Sequence, residues 1–487
     1  MDVESGWTPA QLSRFVRVRS AVVYALMIAG TVLGFYRIRM HGDSLHAPKP
    51  TAGMHFGAGT AGVQIEVLLH VLVALTAVIL FARLLGALFG FIHQPPVIGE
   101  ILAGILIGPS FIGRLAPGVS AYILPPSVAP YLSIIAQVGI LLYMFLVGLE
   151  FDPATIRSRA HSAVIVSHAS IMTPFLLGSA LSLALYPRVS TADVPFGIFA
   201  LFMGISMSIT AFPVLARILT DQGIHKSPLG VMALTCAAVD DVTAWCLLSF
   251  LVSIVHARTG GAAVTLMLTA CYVIVMILVA RPVVVRFVSR QESLGLTRGA
   301  MTAVCVALLL SSLISEFIGI HAIFGAFLLG TLIPHDSAVA RQLHDKLNDL
   351  VLVLFLPAYF AFTGMRTEIG LLRGMGPWLM CGLIILVASA GKFGGSCVAA
   401  RLSGMRSREA ISLGVLMNTR GLVELIVLNI GMDLKIISPV LFAMMVMMAL
   451  ATTLATAPLL HLLVPRYYRH GRATVFPAPL TEGSVEN

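Results

Sequence analysis

The sequence predicts an all-α polytopic membrane protein, and three observations lead to it. Apolar residues make up 58% of the 487 positions and charged residues only 11%, a balance far from that of soluble domains. The apolar residues gather into long uninterrupted runs, many near the ~20 residues that cross a hydrocarbon core as helix. The charges lie mostly in the short segments between those runs. Inside lipid each backbone polar group must be satisfied within its own segment, which leaves helix as the element for runs of this kind.

Fourteen spans are predicted, near 20–36, 64–82, 96–113, 131–149, 161–185, 194–216, 229–255, 263–280, 300–318, 320–334, 350–364, 378–400, 409–431 and 437–463. Several are short for a bilayer, so they are expected to tilt, to extend at their ends, or to cross only part of it. The first run ends in Phe35-Tyr36-Arg37. A signal-peptide cleavage site would carry small residues there, so the run reads as a retained helix. Residues 41–62 read as an external linker, with His41, His46 and His55 solvated rather than metal-bound. Residues 335–349 are polar with Val339, Leu343 and Leu347 on one helical face. That pattern suits an amphipathic helix on the inner interface or a plain loop.

With the N-terminus placed inside, Lys and Arg outnumber those outside by about two to one, as the positive-inside rule demands. Both termini are then cytoplasmic. The net charge of +9 is topological, and no nucleic acid is expected as a partner. The six cysteines all fall inside apolar spans without a CxxC or Cys/His cluster, so they read as small core residues. No cofactor and no enzymatic activity are indicated.

The third and tenth spans are similar. Gly99, Leu102, Gly104, Leu106 and Ile107 match Gly325, Leu328, Gly330, Leu332 and Ile333, and prolines follow at Pro109 and Pro334. The next spans also rhyme, through Gly148 and Gly364. The charge-derived topology runs the third span outward and the tenth inward. This is the signature of an inverted duplication, which would pair the sixth span with the thirteenth and the seventh with the fourteenth.

Asp240 and Asp241 stand side by side in the apolar run 229–255. One charge at a helix centre costs roughly 3 kcal/mol, so two adjacent carboxylates imply that something charged meets them. The sixth span carries Ser206, Ser208, Thr210 and Pro213, and the thirteenth carries Asn418, Thr419, Arg420 and Gly421. Proline and clustered hydroxyls break a helix and expose oxygens. Two broken helices at matching repeat positions point to a midplane ion site formed by Asp240, Asp241, Thr210 and Ser208. Oxygen ligands suit hard cations. Burial and a neighbouring like charge favour the protonated form of a carboxyl, and an adjacent pair titrates as a unit. Proton and cation then compete for the same oxygens, which is exchange. Lys392, mid-span among glycines, needs a carboxylate partner, and Asp240 or Asp241 is the obvious one. Arg420 and Glu424 lie four residues apart on one face and are expected to pair in a structural or gating role. Glu100, Glu150 and Glu316 are alternative partners for Arg420. His168 and His321 read as packing residues, and Glu150 and Asp152 as solvated end charges.

Over residues 64–463 the chain resembles the monovalent cation/proton antiporter superfamily, in the branch of Kef-type potassium exchangers and plant cation/proton exchangers. The stretches that carry the resemblance are 94–109, 145–150, the Asp240-Asp241 pair, 319–327 and 418–424. It implies an inverted-repeat antiporter fold with two discontinuous crossing helices, thirteen core helices and one added N-terminal helix. It implies homodimers in which an ion-carrying core moves against dimerisation helices. It also implies the aspartate-pair role for Asp240 and Asp241, the unwound-helix role for Ser208 and Thr210, and the core-lysine role for Lys392. The domain reading is an N-terminal helix and linker over 1–62, a transporter domain over 63–464 and a cytoplasmic tail over 465–487. Sodium or potassium is the expected cation, in a multi-pass protein of the bacterial inner or plasma membrane. The Asp-Asp pair replaces the Gln-Asp or Asn-Asp of that branch and matches electrogenic sodium/proton antiporters, which implies more than one proton per cation. A proton-coupled organic-cation exporter and a passive channel are the rival functions.

Overall fold

The computed structural model describes residues 9–45, 64–92, 94–150, 160–191, 193–225, 227–256, 262–292 and 295–463. All regular structure among them is helical. The linker region from 46 to 63 and the tail from 464 to 487 fall outside the described residues. In chain order the helices are α1 (Pro9–Gly42), α2 (Gln64–Phe91), α3 (Pro96–Ile107), the short α4 (Ile112–Leu115) and α5 (Pro117–Ile123), α6 (Ala129–Glu150), α7 (Ala160–Val189), α8 (Phe196–Ser208), α9 (Phe212–Asp221) and α10 (Pro228–His256). There follow α11 (Ala262–Val275), α12 (Arg281–Gln291), α13 (Arg298–Ile318), α14 (Ala322–Leu332), α15 (Ala338–Leu350), α16 (Leu356–Met365), α17 (Met375–Leu402), α18 (Ser407–Met417), α19 (Leu422–Asp433) and α20 (Pro439–Leu463).

Each of the fourteen expected spans falls on helix, but among the described residues only eleven helices are singly long and apolar enough to cross a bilayer. The other three expectations, 194–216, 320–334 and 409–431, meet short elements. The first is divided into α8 and α9, the second is the short α14, and the third is divided into α18 and α19, bent by 41°. Two further spans run longer than expected through π-helical turns. Met276–Ala280 joins α11 to α12, and Val351–Phe355 joins α15 to α16. In both cases a proline, Pro282 or Pro357, is the second residue of the helix that follows. Proline cannot donate to the preceding turn and its ring crowds the carbonyl there, so the widened turn relieves the clash. The amphipathic stretch is therefore the first part of a continuous helical segment. Its apolar face turns into protein rather than lipid, with Val339 and Leu343 fully buried beside Leu146 and Leu149.

The helices pack as two groups. α2, α3, α6, α13, α14, α15 and α16 pack on one another, as do α7 to α10 with α17 to α20. α1 lies against α7 and α8 in the second group, and α11 bridges α10 to α13.

Glycines set the first group's geometry, and they are the repeat glycines. A side chain on Gly104 would run into the backbone of Ala361 in α16, and one on Gly364 into Ile101 in α3. Likewise Gly330 abuts Phe145 in α6, and Gly148 abuts Phe327 in α14. Gly99 and Gly325 lie equally close to Leu85 and Ser311, in the helices just before their own. Matched positions thus make matched contacts, and each half's helix crosses its counterpart's partner. Small residues that let backbones approach are the usual means of packing helices in lipid, where apolar burial supplies no drive.

Candidate functional site

The site forms where the two broken helices cross. Residues 209–211 leave α8 in extended conformation before α9 begins. The Ala211 N–H donates to Thr419 O at 3.1 Å, and the Thr210 hydroxyl to Met417 O at 3.2 Å, so the two breaks touch. Thr453 of α20 pins the second break, accepting from the Arg420 N–H at 3.0 Å and donating to its carbonyl at 2.8 Å. Backbone groups freed by the breaks are thereby satisfied, which non-helical backbone at membrane depth requires.

Asp240, in the middle of α10, is 1% exposed and fully ligated. Its Oδ1 accepts from Ser167 at 2.5 Å, and its Oδ2 from Ser170 at 2.8 Å, Thr210 at 2.7 Å and Lys392 Nζ at 2.7 Å. Lys392 also donates to Ser208 O at 2.6 Å and Ser170 Oγ at 3.2 Å. The glycines around the lysine explain its placement. Gly395 lets α17 lie against Ala169 and Thr173, and Gly391 lets it lie against Pro174. That close approach to α7 brings Lys392 to Ser170 and Asp240.

Asp241 is 5% exposed and differently placed. It accepts from the backbone N–H of Phe212, the first residue of α9. The positive end of that helix therefore faces the carboxylate. Its Oδ1 has no hydrogen-bond partner, and no ion pair reaches it among the described residues.

Arg420 is fully buried and closes the negative end of α8. Its guanidinium donates to the carbonyls of Ser206 at 2.9 Å, Met207 at 2.5 Å and Ile209 at 2.7 Å, and to Glu424 Oε2 at 3.1 Å. Helix C-terminal carbonyls lack intrahelical donors. Arg420 and Lys392 between them supply these to four consecutive residues, 206 to 209. Glu424 sits in the first turn of α19, where the dipole favours an acid.

The structure thus brings together Asp240, Asp241, Thr210 and Lys392, and pairs Arg420 with Glu424. None of Glu100, Glu150 and Glu316 takes the ion pair with Arg420. Ser208 differs from expectation. Its hydroxyl donates away from the aspartates, to Gly204 O and Ile171 O, and only its carbonyl enters the site. The hydroxyls that do reach Asp240 from α7, Ser167 and Ser170, were not anticipated. Their signal was their spacing: three apart on one face of an apolar span.

A cavity of about 660 Å³ lies between the two helix groups. Arg83, Glu100, Tyr143 and Leu356 line it from the first group, and Arg217 and Leu422 from the second.

Residues 71–462 match the family model described as sodium/hydrogen exchanger, transmembrane. The chain belongs to that family. It is a cation/proton antiporter. It is 42% identical over 402 residues to the Na(+)/H(+) antiporter NhaS4 of Synechocystis, covering 82% of this chain and 98% of that protein. It is 39% identical over 402 residues to cation/H(+) antiporter 20 of Arabidopsis thaliana, covering 80% of this chain but 48% of that longer protein. The fold matches that of the sodium proton antiporter MjNhaP1 from Methanocaldococcus jannaschii, with a TM-score of 0.54 at 14% identity over 81% of this chain and 96% of that one.

Proposed function

We propose that one monovalent cation, sodium or potassium, and a proton alternate on Asp241, while Asp240 and Lys392 form a standing ion pair that shapes the site. The supporting observation is the division of charge at the crossing. Asp240 has Lys392, Glu424 has Arg420, and Asp241 has a buried oxygen without a hydrogen-bond partner and no ion pair among the described residues. A buried carboxylate of that kind takes up either a proton or a metal ion. The ion-carrying group is α7 to α10 with α17 to α20, sliding against α2, α3, α6 and α13 to α16. The cavity lies between them, on the face that carries Arg83 and Arg217. Under the charge-derived topology that face is cytoplasmic, in a bacterial inner membrane. A homodimer built on the first group would hold that group still. Asp241 is too enclosed to suit a bulky organic ammonium.

The test is dissipation of a pH gradient in proteoliposomes on adding sodium or potassium. Asp241→Asn removes the exchangeable charge and is expected to lower exchange at least a hundredfold while the fold persists. One proton competing for one cation site makes the apparent cation affinity fall about tenfold per pH unit where the carboxyl is protonated. Full exchange by Asp241→Asn, or a pH-independent affinity, would remove Asp241 from this role.

A further inference from the structure

The same two helices, α16 and α19, part at one end and are stitched together at the other. Leu356 and Phe360 of α16 and Leu422 of α19 line the cavity. From Leu352, which also lines it, to Arg366 at the end of α16 is about 20 Å of helix. At that far end Arg366 donates to Asp433 Oδ1 at 2.7 Å and Asn429 Oδ1 at 3.0 Å, both on α19. The Asn429 amide donates back to Thr363 Oγ1 at 2.8 Å and Tyr359 OH at 3.2 Å on α16, and to Leu425 O at 2.9 Å in its own helix. The Arg366 guanidinium lies 5.4 Å from the Phe362 ring centre. Asn429 is 6% exposed, whereas Asp433 is half exposed.

We propose that Arg366, Asn429 and Asp433 form a latch that seals the far face while the cavity face is open, and that it must part in each transport cycle. The inference rests on the antiport reading, in which the two helix groups move past each other. Each cross-group bond in the latch joins α16 of one group to α19 of the other. The buried Asn429 supplies the seal, and the Arg366–Asp433 pair closes over it. An ion pair with one partner half exposed is screened by water and weak, which suits a contact broken at every turnover. The repeat offers a control. Gly148 corresponds to Gly364, so Glu150 corresponds to Arg366. At the open end Glu150 pairs with His344 of α15, within its own group, at 3.0 Å, and no ion pair joins it to the second group among the described residues. One end is latched across the groups and the matched position at the other end is not.

The experiment uses the full chain in proteoliposomes, with the six native cysteines replaced in a parent that still exchanges. Arg366→Cys with Asp433→Cys is bridged by a bis-methanethiosulfonate. Bridging is expected to cut exchange at least tenfold, and reductant to restore it. Bridged protein that exchanges at the unbridged rate overturns the latch. A second arm reads thiol labelling of Asn429→Cys in detergent. Arg366→Glu or Asp433→Arg alone should speed labelling at least fivefold, and the two together should return it to within twofold of the parent. Unchanged labelling in the single variants overturns the proposal. So does a double variant that labels as fast as they do, since that reports lost packing rather than a lost pair. Asp241→Asn in the same vesicles reports on the antiport reading separately. Vesicles of the unaltered chain without exchange would indict that reading, and the labelling arm would still decide the latch.

Discussion

Lys392 and Asp240 are each fully buried at their side chains and meet at 2.7 Å. Removing one partner of such a pair leaves a buried charge unmatched, at about 3–5 kcal/mol, whereas removing both is often close to neutral. In Lys392→Met the lower end of that range applies. Asp240 keeps three hydroxyl donors, Ser167, Ser170 and Thr210, which cover both its oxygens. The lost donor also leaves Ser208 O bare, worth about 1 kcal/mol. Lys392→Met is thus expected to destabilise by about 3–4 kcal/mol. Asp240→Asn is expected to destabilise by a similar amount, because the ammonium then keeps only Ser208 O and Ser170 Oγ. In the double variant the charges vanish together and roughly 1–2 kcal/mol of loss should remain. The cycle then shows a coupling well above 2 kcal/mol, where independent sites would give under ~0.5. Unfolding of the four proteins in one detergent reads all of this. A Lys392→Met protein as stable as the parent, or a double variant that loses the sum of the two single changes, would refute the standing-pair reading.

Two further outcomes separate the structure from simpler readings. Ser170→Ala removes a hydrogen bond to Asp240, about 1.5–3 kcal/mol for a charged acceptor. It should change exchange or stability measurably, while Ser208→Ala, whose hydroxyl points away, should leave cation affinity within about twofold. Equal effects from the two on both exchange and stability would place the wrong hydroxyl at the site. Arg420→Met strands Glu424 and uncovers the carbonyls of Ser206, Met207 and Ile209 at the end of α8, so it should lower stability by at least ~3 kcal/mol. Arg420→Lys should recover only part of that, because an ammonium does not present the guanidinium fork. A melt of Arg420→Met matching the parent would show that the break does not depend on it.

Most of the architecture was legible because the signals were local. Apolar runs gave the helices, Pro213 and the polar tract 418–421 gave the breaks, and paired glycines gave the repeat. The site was legible where a charge stood in lipid: Asp240, Asp241, Lys392, Arg420 and Glu424 all violate local composition, and each proved to be buried. What could not be read was direction. Ser208 and Ser170 are equally ordinary serines in apolar helices. Which one faces Asp240 depends on how α7 and α8 rotate against α10, and packing sets that rotation, not sequence period. The different partners of the two aspartates were hidden for the same reason. Adjacent residues on a helix point about 100° apart, and one met Lys392 while the other met the end of α9.

That difference bears on how many protons accompany each cation. Three of the four helix ends at the crossing face a formal charge. The positive ends of α9 and α19 face Asp241 and Glu424, and the negative end of α8 faces Arg420 and Lys392. With both ion pairs closed, the acids at the crossing, Asp240, Asp241 and Glu424, exceed the bases there, Lys392 and Arg420, by one charge, the one on Asp241. A single cation or a single proton restores neutrality, and exchanging one for the other moves no net charge with the core. A second proton can join only if Lys392 lets go of Asp240. If Asp241 alone exchanges, as proposed, the Asp-Asp pair would not by itself make exchange electrogenic. The strength of the bond between Lys392 and Asp240 would then decide whether one carboxyl titrates in the cycle or two.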